Sequence, residues 1–140
     1  SELGDGRWVL PYTGYPLPHK FPRADLVFDV GYATWPNGRL VAVDAPEQGQ
    51  FTTVGFYPPS RRLRLNARTR EGGSILVEVG ELTGKPVDGR TFARCTPIVG
   101  DGPDLRVRWE SGDTLGVNER QPIVLRFKLT SSELYSVDFV

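Results

Sequence analysis

The sequence holds one cysteine, Cys95, one histidine, His19, and no methionine in 140 residues. A single thiol excludes an internal disulfide and a four-thiolate zinc site. A nucleophilic cysteine needs a base beside it, and His19 lies far upstream in a proline-rich stretch. Cys95 therefore reads as a buried structural residue, the common fate of a free thiol. Basic and acidic residues number 17 each, so the basic excess that phosphate backbones select is missing and no nucleic-acid partner is expected. No apolar run approaches the roughly 18 residues of a membrane helix, and no charged-then-apolar amino end resembles a signal peptide; no membrane partner is expected. A chain that begins Ser1-Glu2-Leu3-Gly4-Asp5-Gly6 reads as cut from a longer precursor. Apolar residues at 39% against 24% charged exclude disorder and leave enough for one core.

Helical periodicity is also absent, since apolar residues nowhere recur at three- and four-residue spacing over three turns. Period-two alternation takes its place, punctuated by 16 glycines and 12 prolines spread along the chain. The clearest strand is 122–130, where Ile123, Leu125, Phe127 and Leu129 alternate with Val124, Arg126 and Lys128. Residues 134–140 repeat the pattern with Tyr135, Val137 and Phe139, which predicts a terminal hairpin through Thr130-Ser131-Ser132-Glu133. Leu105, Val107 and Trp109 alternate with Arg106, Arg108 and Glu110. Ile75, Val77 and Val79 follow the turn Glu71-Gly72-Gly73, which is preceded by Leu63, Leu65 and Ala67. Residues 39–44 and 50–57 are two more strands joined through Ala45-Pro46-Glu47-Gln48-Gly49, and 26–32 is an eighth. Half-exposed antiparallel strands in that number must fold onto a second sheet to bury their apolar faces. The expectation is an all-β fold, a two-sheet antiparallel β-sandwich of jelly-roll type, as one module over residues 1–140.

Residues 1–38 differ in texture. Trp8-Val9-Leu10-Pro11-Tyr12-Thr13-Gly14-Tyr15 and Pro16-Leu17-Pro18-His19-Lys20-Phe21-Pro22-Arg23 crowd prolines and aromatics with little alternation. This stretch reads as an extended, loop-like N-terminal arm packed on the sandwich, with residues 39–140 as the regular strands.

Catalytic signatures are missing. There is no Gly-x-Ser-x-Gly elbow, a single histidine would have to serve any acyl transfer, and no glycine loop precedes a helix to cradle phosphate. Glycoside hydrolysis needs two facing carboxylates about 5 to 10 Å apart, and Glu78 and Glu110 occupy strand positions that read as solvated. No enzymatic activity and no organic cofactor are expected. Calcium is the one metal to consider: Asp101-Gly102-Pro103-Asp104, with Asp113 in the next loop, offers hard oxygen ligands in no defined motif, and an Asp-initiated turn explains the same residues.

Aromatic residues carry the remaining signal. Pyranose rings present apolar C–H faces that stack on indole and phenol rings, while their hydroxyls need fixed polar partners. Trp8, Tyr12, Tyr15, Tyr32 and Trp35 lie within 28 residues, outside the regular strands, with His19, Arg23, Asn37 and Arg39 as nearby hydrogen-bonding groups. Two readings stand side by side: these rings contact a ligand, or they pack across the sandwich as a lid. Trp109 belongs to a core face.

The arm from Trp8 to Tyr15 with Pro18-His19-Lys20, then Gly38-Arg39-Leu40-Val41-Ala42 and Glu47-Gln48-Gly49-Gln50-Phe51-Thr52-Thr53, resembles the terminal segment of large bacterial proteins related to glycoside hydrolases with five-bladed propeller domains. The similarity continues through Leu63-Arg64-Leu65-Asn66-Ala67, Gly73-Ser74-Ile75-Leu76-Val77-Glu78-Val79, Gly84-Lys85-Pro86-Val87 and Pro122-Ile123-Val124-Leu125-Arg126-Phe127. These motifs are turns and strand edges, and they cover nearly the whole chain. The resemblance implies a β-sandwich accessory module beside a catalytic domain of the parent chain, secreted or extracytoplasmic, that binds a polysaccharide or oligosaccharide. It implies no residue roles. A structural or dimerisation module without sugar binding is the alternative.

Overall fold

A computed structural model of the chain describes residues 1–16, 28–118 and 120–140. The fold is all-β with two antiparallel sheets, built from β1 (Arg7–Gly14), β2 (Asp29–Pro36), β3 (Val43–Thr52), β4 (Leu63–Glu81), β5 (Asp101–Arg106) and β6 (Ile123–Phe139). No α-helix occurs among the described residues; one 3₁₀ turn spans Phe92–Arg94. The chain divides into two units, Ser1–Leu40 and Val41–Val140. The first holds the β1-β2 sheet and the second a four-stranded sheet in the order β3-β6-β4-β5.

Fewer and longer strands form than the punctuation predicts. The expected hairpin at 122–140 is one continuous strand, β6, and the segments on either side of Glu71-Gly72-Gly73 are one strand, β4. These two pair along their whole length, from Leu63 opposite Phe139 to Glu81 opposite Ile123. The polar residues between the apolar runs bend the ladder instead of reversing it. Gly72 (φ 71°) and Ser131 (φ 41°) take left-handed backbone on the two partner strands, within the register shift between Thr69 and Ser74. Such bulges kink a pair without breaking it. Gly73 sits at a close approach of the two strands: a Cβ there would stand 2.3 Å from the Ser131 carbonyl oxygen and 2.7 Å from that of Thr130.

Phase explains the rest. The steps from Leu129 to Leu134 and from Leu134 to Val137 are odd, and an odd step in a period-two strand needs an extra residue to keep apolar side chains on one face. Hence Leu134 enters the core with Val137 and Phe139, while the Tyr135 hydroxyl donates to Glu133 at 2.5 Å. The strands expected at 39–44 and 50–57 are replaced by one strand, β3, which holds 43–44 and 50–52 of them and runs through their expected connection. Pro46 and Glu47 form an irregularity between Ala45 and Gln48 on the sheet edge, where a missing backbone N–H is tolerated. Of the strand expected over Leu105, Val107 and Trp109, only Leu105 lies in β5 (Asp101–Arg106), and Val107 and Trp109 follow it.

The core gathers Leu63, Leu65, Ile75, Val77 and Val79 of β4 with Ile123, Leu125, Phe127 and Leu129 of β6, all at most 1% exposed. Phe51 of β3 stacks on Phe127 with ring centroids 4.8 Å apart. The β4–β5 and β5–β6 connections contribute Val87, Cys95, Ile98, Trp109 and Leu115. Past β5, the same connections satisfy the edge of β4. Ile75 and Ile98 exchange both backbone hydrogen bonds at 3.0 Å, Val79 N–H donates to the Arg90 carbonyl, and Glu81 N–H donates to that of Lys85. At Val77 side chains do this work: its N–H donates to Cys95 Sγ at 3.3 Å and its carbonyl accepts from Trp109 Nε1 at 2.9 Å. Burial pushes the Cys95 thiol above its ordinary value.

Candidate functional site

Glu78, expected on a solvated face, is buried at 7% exposure. Arg126 Nη1 donates to its Oε1 at 2.7 Å and Phe92 N–H to its Oε2 at 3.3 Å, so its carboxylate is committed to an ion pair across β4 and β6. Glu110 is exposed and pairs with Arg94 at 2.5 Å. Asp104 receives both of its hydrogen bonds from Arg64, at 2.7 and 2.8 Å, and Asp113 pairs with Arg62 at 3.1 Å. Asp101 is in β5, opposite Arg68. Among the described residues no group of three or more His, Cys, Asp or Glu side chains gathers as a metal site.

The aromatic residues of the first unit are arranged by a β-ladder where the sequence predicts a loop-like arm. β1 and β2 pair antiparallel with Trp8 opposite Trp35, Leu10 opposite Ala33 and Tyr12 opposite Gly31. Directly opposed residues share a face and alternate residues repeat it. One face of the ribbon therefore carries Trp8, Leu10, Tyr12 and Trp35, and the other Val9, Pro11, Thr13, Val30 and Tyr32. The strand rise places Trp8 and Tyr12 about 13 Å apart along β1.

The Tyr12 ring lies across Gly31: a Cβ on Gly31 would stand 2.5 Å from Tyr12 Cζ. An aromatic laid over a cross-strand glycine covers backbone that no other side chain shields. Trp8 is 44% exposed and Tyr12 55%, while Trp35 is half-buried. Tyr15, just beyond β1, faces Phe28 with centroids 6.2 Å apart, and both rings are exposed.

The polar candidates take different places. Asn37 N–H donates to the Gly6 carbonyl at 3.0 Å and its Nδ2 to Glu2 Oε1 at 3.1 Å. Arg39 N–H closes a turn on the Pro36 carbonyl around Gly38 (φ 71°). Ser1 and Val9 exchange hydrogen bonds, so the first residues run alongside β1. Arg7 holds the Asp5 carboxyl below its usual range through a side-chain hydrogen bond of 2.8 Å. His19 and Arg23 lie outside the described residues, as do residues 26 and 27 of the strand expected at 26–32, whose residues 29–32 belong to β2. The ladder thus unites Trp8, Tyr12 and Trp35, puts Tyr32 on the reverse face, and leaves Asn37 and Arg39 in the turn after β2. Sequence reasoning missed Leu10, Gly31 and Phe28. The period-two signal Trp8-x-Leu10-x-Tyr12 was there, masked by Pro11 between the last two.

Compared with known proteins, the chain matches no protein-family model, no curated protein and no solved structure.

Proposed function

We propose that the chain is a non-catalytic carbohydrate-binding module that holds a polysaccharide or oligosaccharide against the Trp8, Tyr12 and Trp35 face of the β1-β2 ribbon. In this reading it is a jelly-roll type β-sandwich accessory module, and it keeps a glycoside-active catalytic domain of its parent chain on the polymer in a secreted or extracytoplasmic setting. The observation that carries the proposal is the exposed aromatic face itself. Indole and phenol rings repeat along one side of the ribbon, and flat rings left open to water at that spacing suit the C–H faces of successive pyranoses. The jelly-roll part draws support from the last strand, β6, lying next to β3, the first of its sheet. The parent domain and the location rest on the resemblance of the chain's turns and strand edges.

Affinity electrophoresis of the chain through gels containing plant, fungal and bacterial polysaccharides tests the proposal. Retardation by one polymer, lost in Trp8→Ala and Trp35→Ala with unchanged mobility in its absence, is the expected result. Uniform mobility in every gel removes the sugar reading.

A second reading has its own support. A two-stranded ribbon is marginal in water by itself, and a structural or dimerisation module would cover that face with protein. Sedimentation equilibrium separates the two: a dimer dissociated by Trp8→Ala favours protein over sugar.

A further inference from the structure

We infer that the unit Val41–Val140 carries a carboxylate-binding cleft made by Arg62, Arg64 and Arg106, fitted to a uronic-acid residue, and that this site is independent of the aromatic face. The cleft has a volume of about 180 Å³ and is lined by these three arginines with Leu63, Val107 and Asp113; Val140 closes one side.

Its cations converge for a reason that lies in the strands. Leu63 and Leu65 point into the core, which turns Arg62 and Arg64 to the opposite face. Arg64 pairs directly with Arg106 across β4 and β5. Like charges directly opposed on a sheet are destabilising, and this pair is only partly compensated. Arg64 is held by Asp104 and Arg62 by Asp113, whereas Arg106 is exposed and makes no ion pair or hydrogen bond among the described residues. The floor is fixed by backbone: Val107 N–H donates to the Leu63 carbonyl at 3.1 Å, and Arg62 and Val140 exchange hydrogen bonds at 3.0 and 3.1 Å.

A planar guanidinium without a partner, next to two whose ion pairs are at the surface and therefore weak, is a fork for a planar carboxylate. The volume admits one sugar ring with its carboxylate. The alternation of Arg106 and Arg108 with Val107 shows in the sequence only that the two arginines share a face; the cross-strand register is what brings Arg106 to Arg64.

The test is a titration of the chain with glucuronate, followed through the arginine Nε–Hε resonances, with glucose as the neutral isostere and sulfate as a non-planar anion. Glucuronate is expected to shift Arg62, Arg64 and Arg106 saturably, glucose to shift none, and sulfate to bind at least about fivefold more weakly. Arg106→Gln should raise the glucuronate Kd about tenfold without lowering the unfolding midpoint, since the side chain is exposed and its loss relieves the like-charge pair with Arg64, and Arg106→Lys should recover only part of the loss. No saturable shift at about 50 mM glucuronate overturns the inference. So do equal shifts with glucose, equal affinity for sulfate, or an Arg106→Gln chain that binds as tightly as the parent.

Discussion

Replacing Gly73 by alanine probes the bend that joins β4 to β6. The added methyl would meet three backbone oxygens, those of Ser131 at 2.3 Å, Thr130 at 2.7 Å and Arg70 at 3.0 Å. Carbonyls in a ladder cannot rotate away as a side chain can, so β6 must move by most of an ångström next to the Ser74–Thr130 pair. Overpacking of this kind costs about 1 to 3 kcal/mol, and the rigid neighbours place Gly73→Ala near the upper end. Gly72→Ala is the internal control. It has nothing within 4 Å but a φ of 71°, so its cost is the left-handed backbone alone, about 1 to 2 kcal/mol. Urea unfolding followed by the emission of the buried Trp109 reads both, and at a slope of about 1 to 3 kcal/mol per molar, 3 kcal/mol lowers the midpoint by at least about 1 M. A Gly73→Ala chain within 0.5 kcal/mol of the parent, or one more stable than Gly72→Ala, refutes the close approach at the bend.

Further outcomes follow from the same contacts. Glu78→Ala leaves Arg126, whose side chain is 20% exposed, without its carboxylate and is expected to cost about 3 kcal/mol in chemical denaturation; Glu78→Leu with Arg126→Met should recover most of it. Cys95 keeps its proton in the folded chain to a higher pH than in the unfolded one. Stability is therefore expected to fall as pH rises past the unfolded thiol's value of about 8.5. Cys95 should also react with an aromatic disulfide reagent at pH 8 only after denaturation. Gly31→Val should push the Tyr12 ring off β2, seen as loss of its ring-current shift at the residue-31 backbone amide relative to the parent, while the core unit around Phe127 keeps its unfolding midpoint.

Fold class was legible because alternation survives wherever a strand is half buried: Ile123 to Leu129 and Ile75 to Val79 occupy the core as their spacing predicts. Strand ends were not legible. Thr130-Ser131-Ser132-Glu133 and Glu71-Gly72-Gly73 have turn composition, yet the two sit on partner strands, and a bend needs the same left-handed residues that a reversal does. Only the pairing of β4 with β6, a long-range fact, distinguishes them. Glu78 was misread for a related cause: its neighbours Val77 and Val79 face the core and so assign it outward, but the β4–β5 connection returns over that outward face at Phe92. In the first unit the aromatic residues were picked by type, while their sharing of a face depends on Trp8 being opposite Trp35, a register that Pro11 and Gly31 conceal.

With only three tryptophans in the chain, the indole N–H region of a nitrogen-correlated spectrum tests the sugar-binding face directly. On titration with the polysaccharide fragment that best retards the protein, the Trp8 and Trp35 signals should shift together and saturate, while that of Trp109, buried and bonded to Val77, stays in place. Indole signals that stay fixed across the whole glycan panel, or a shift confined to Trp109, contradict the account.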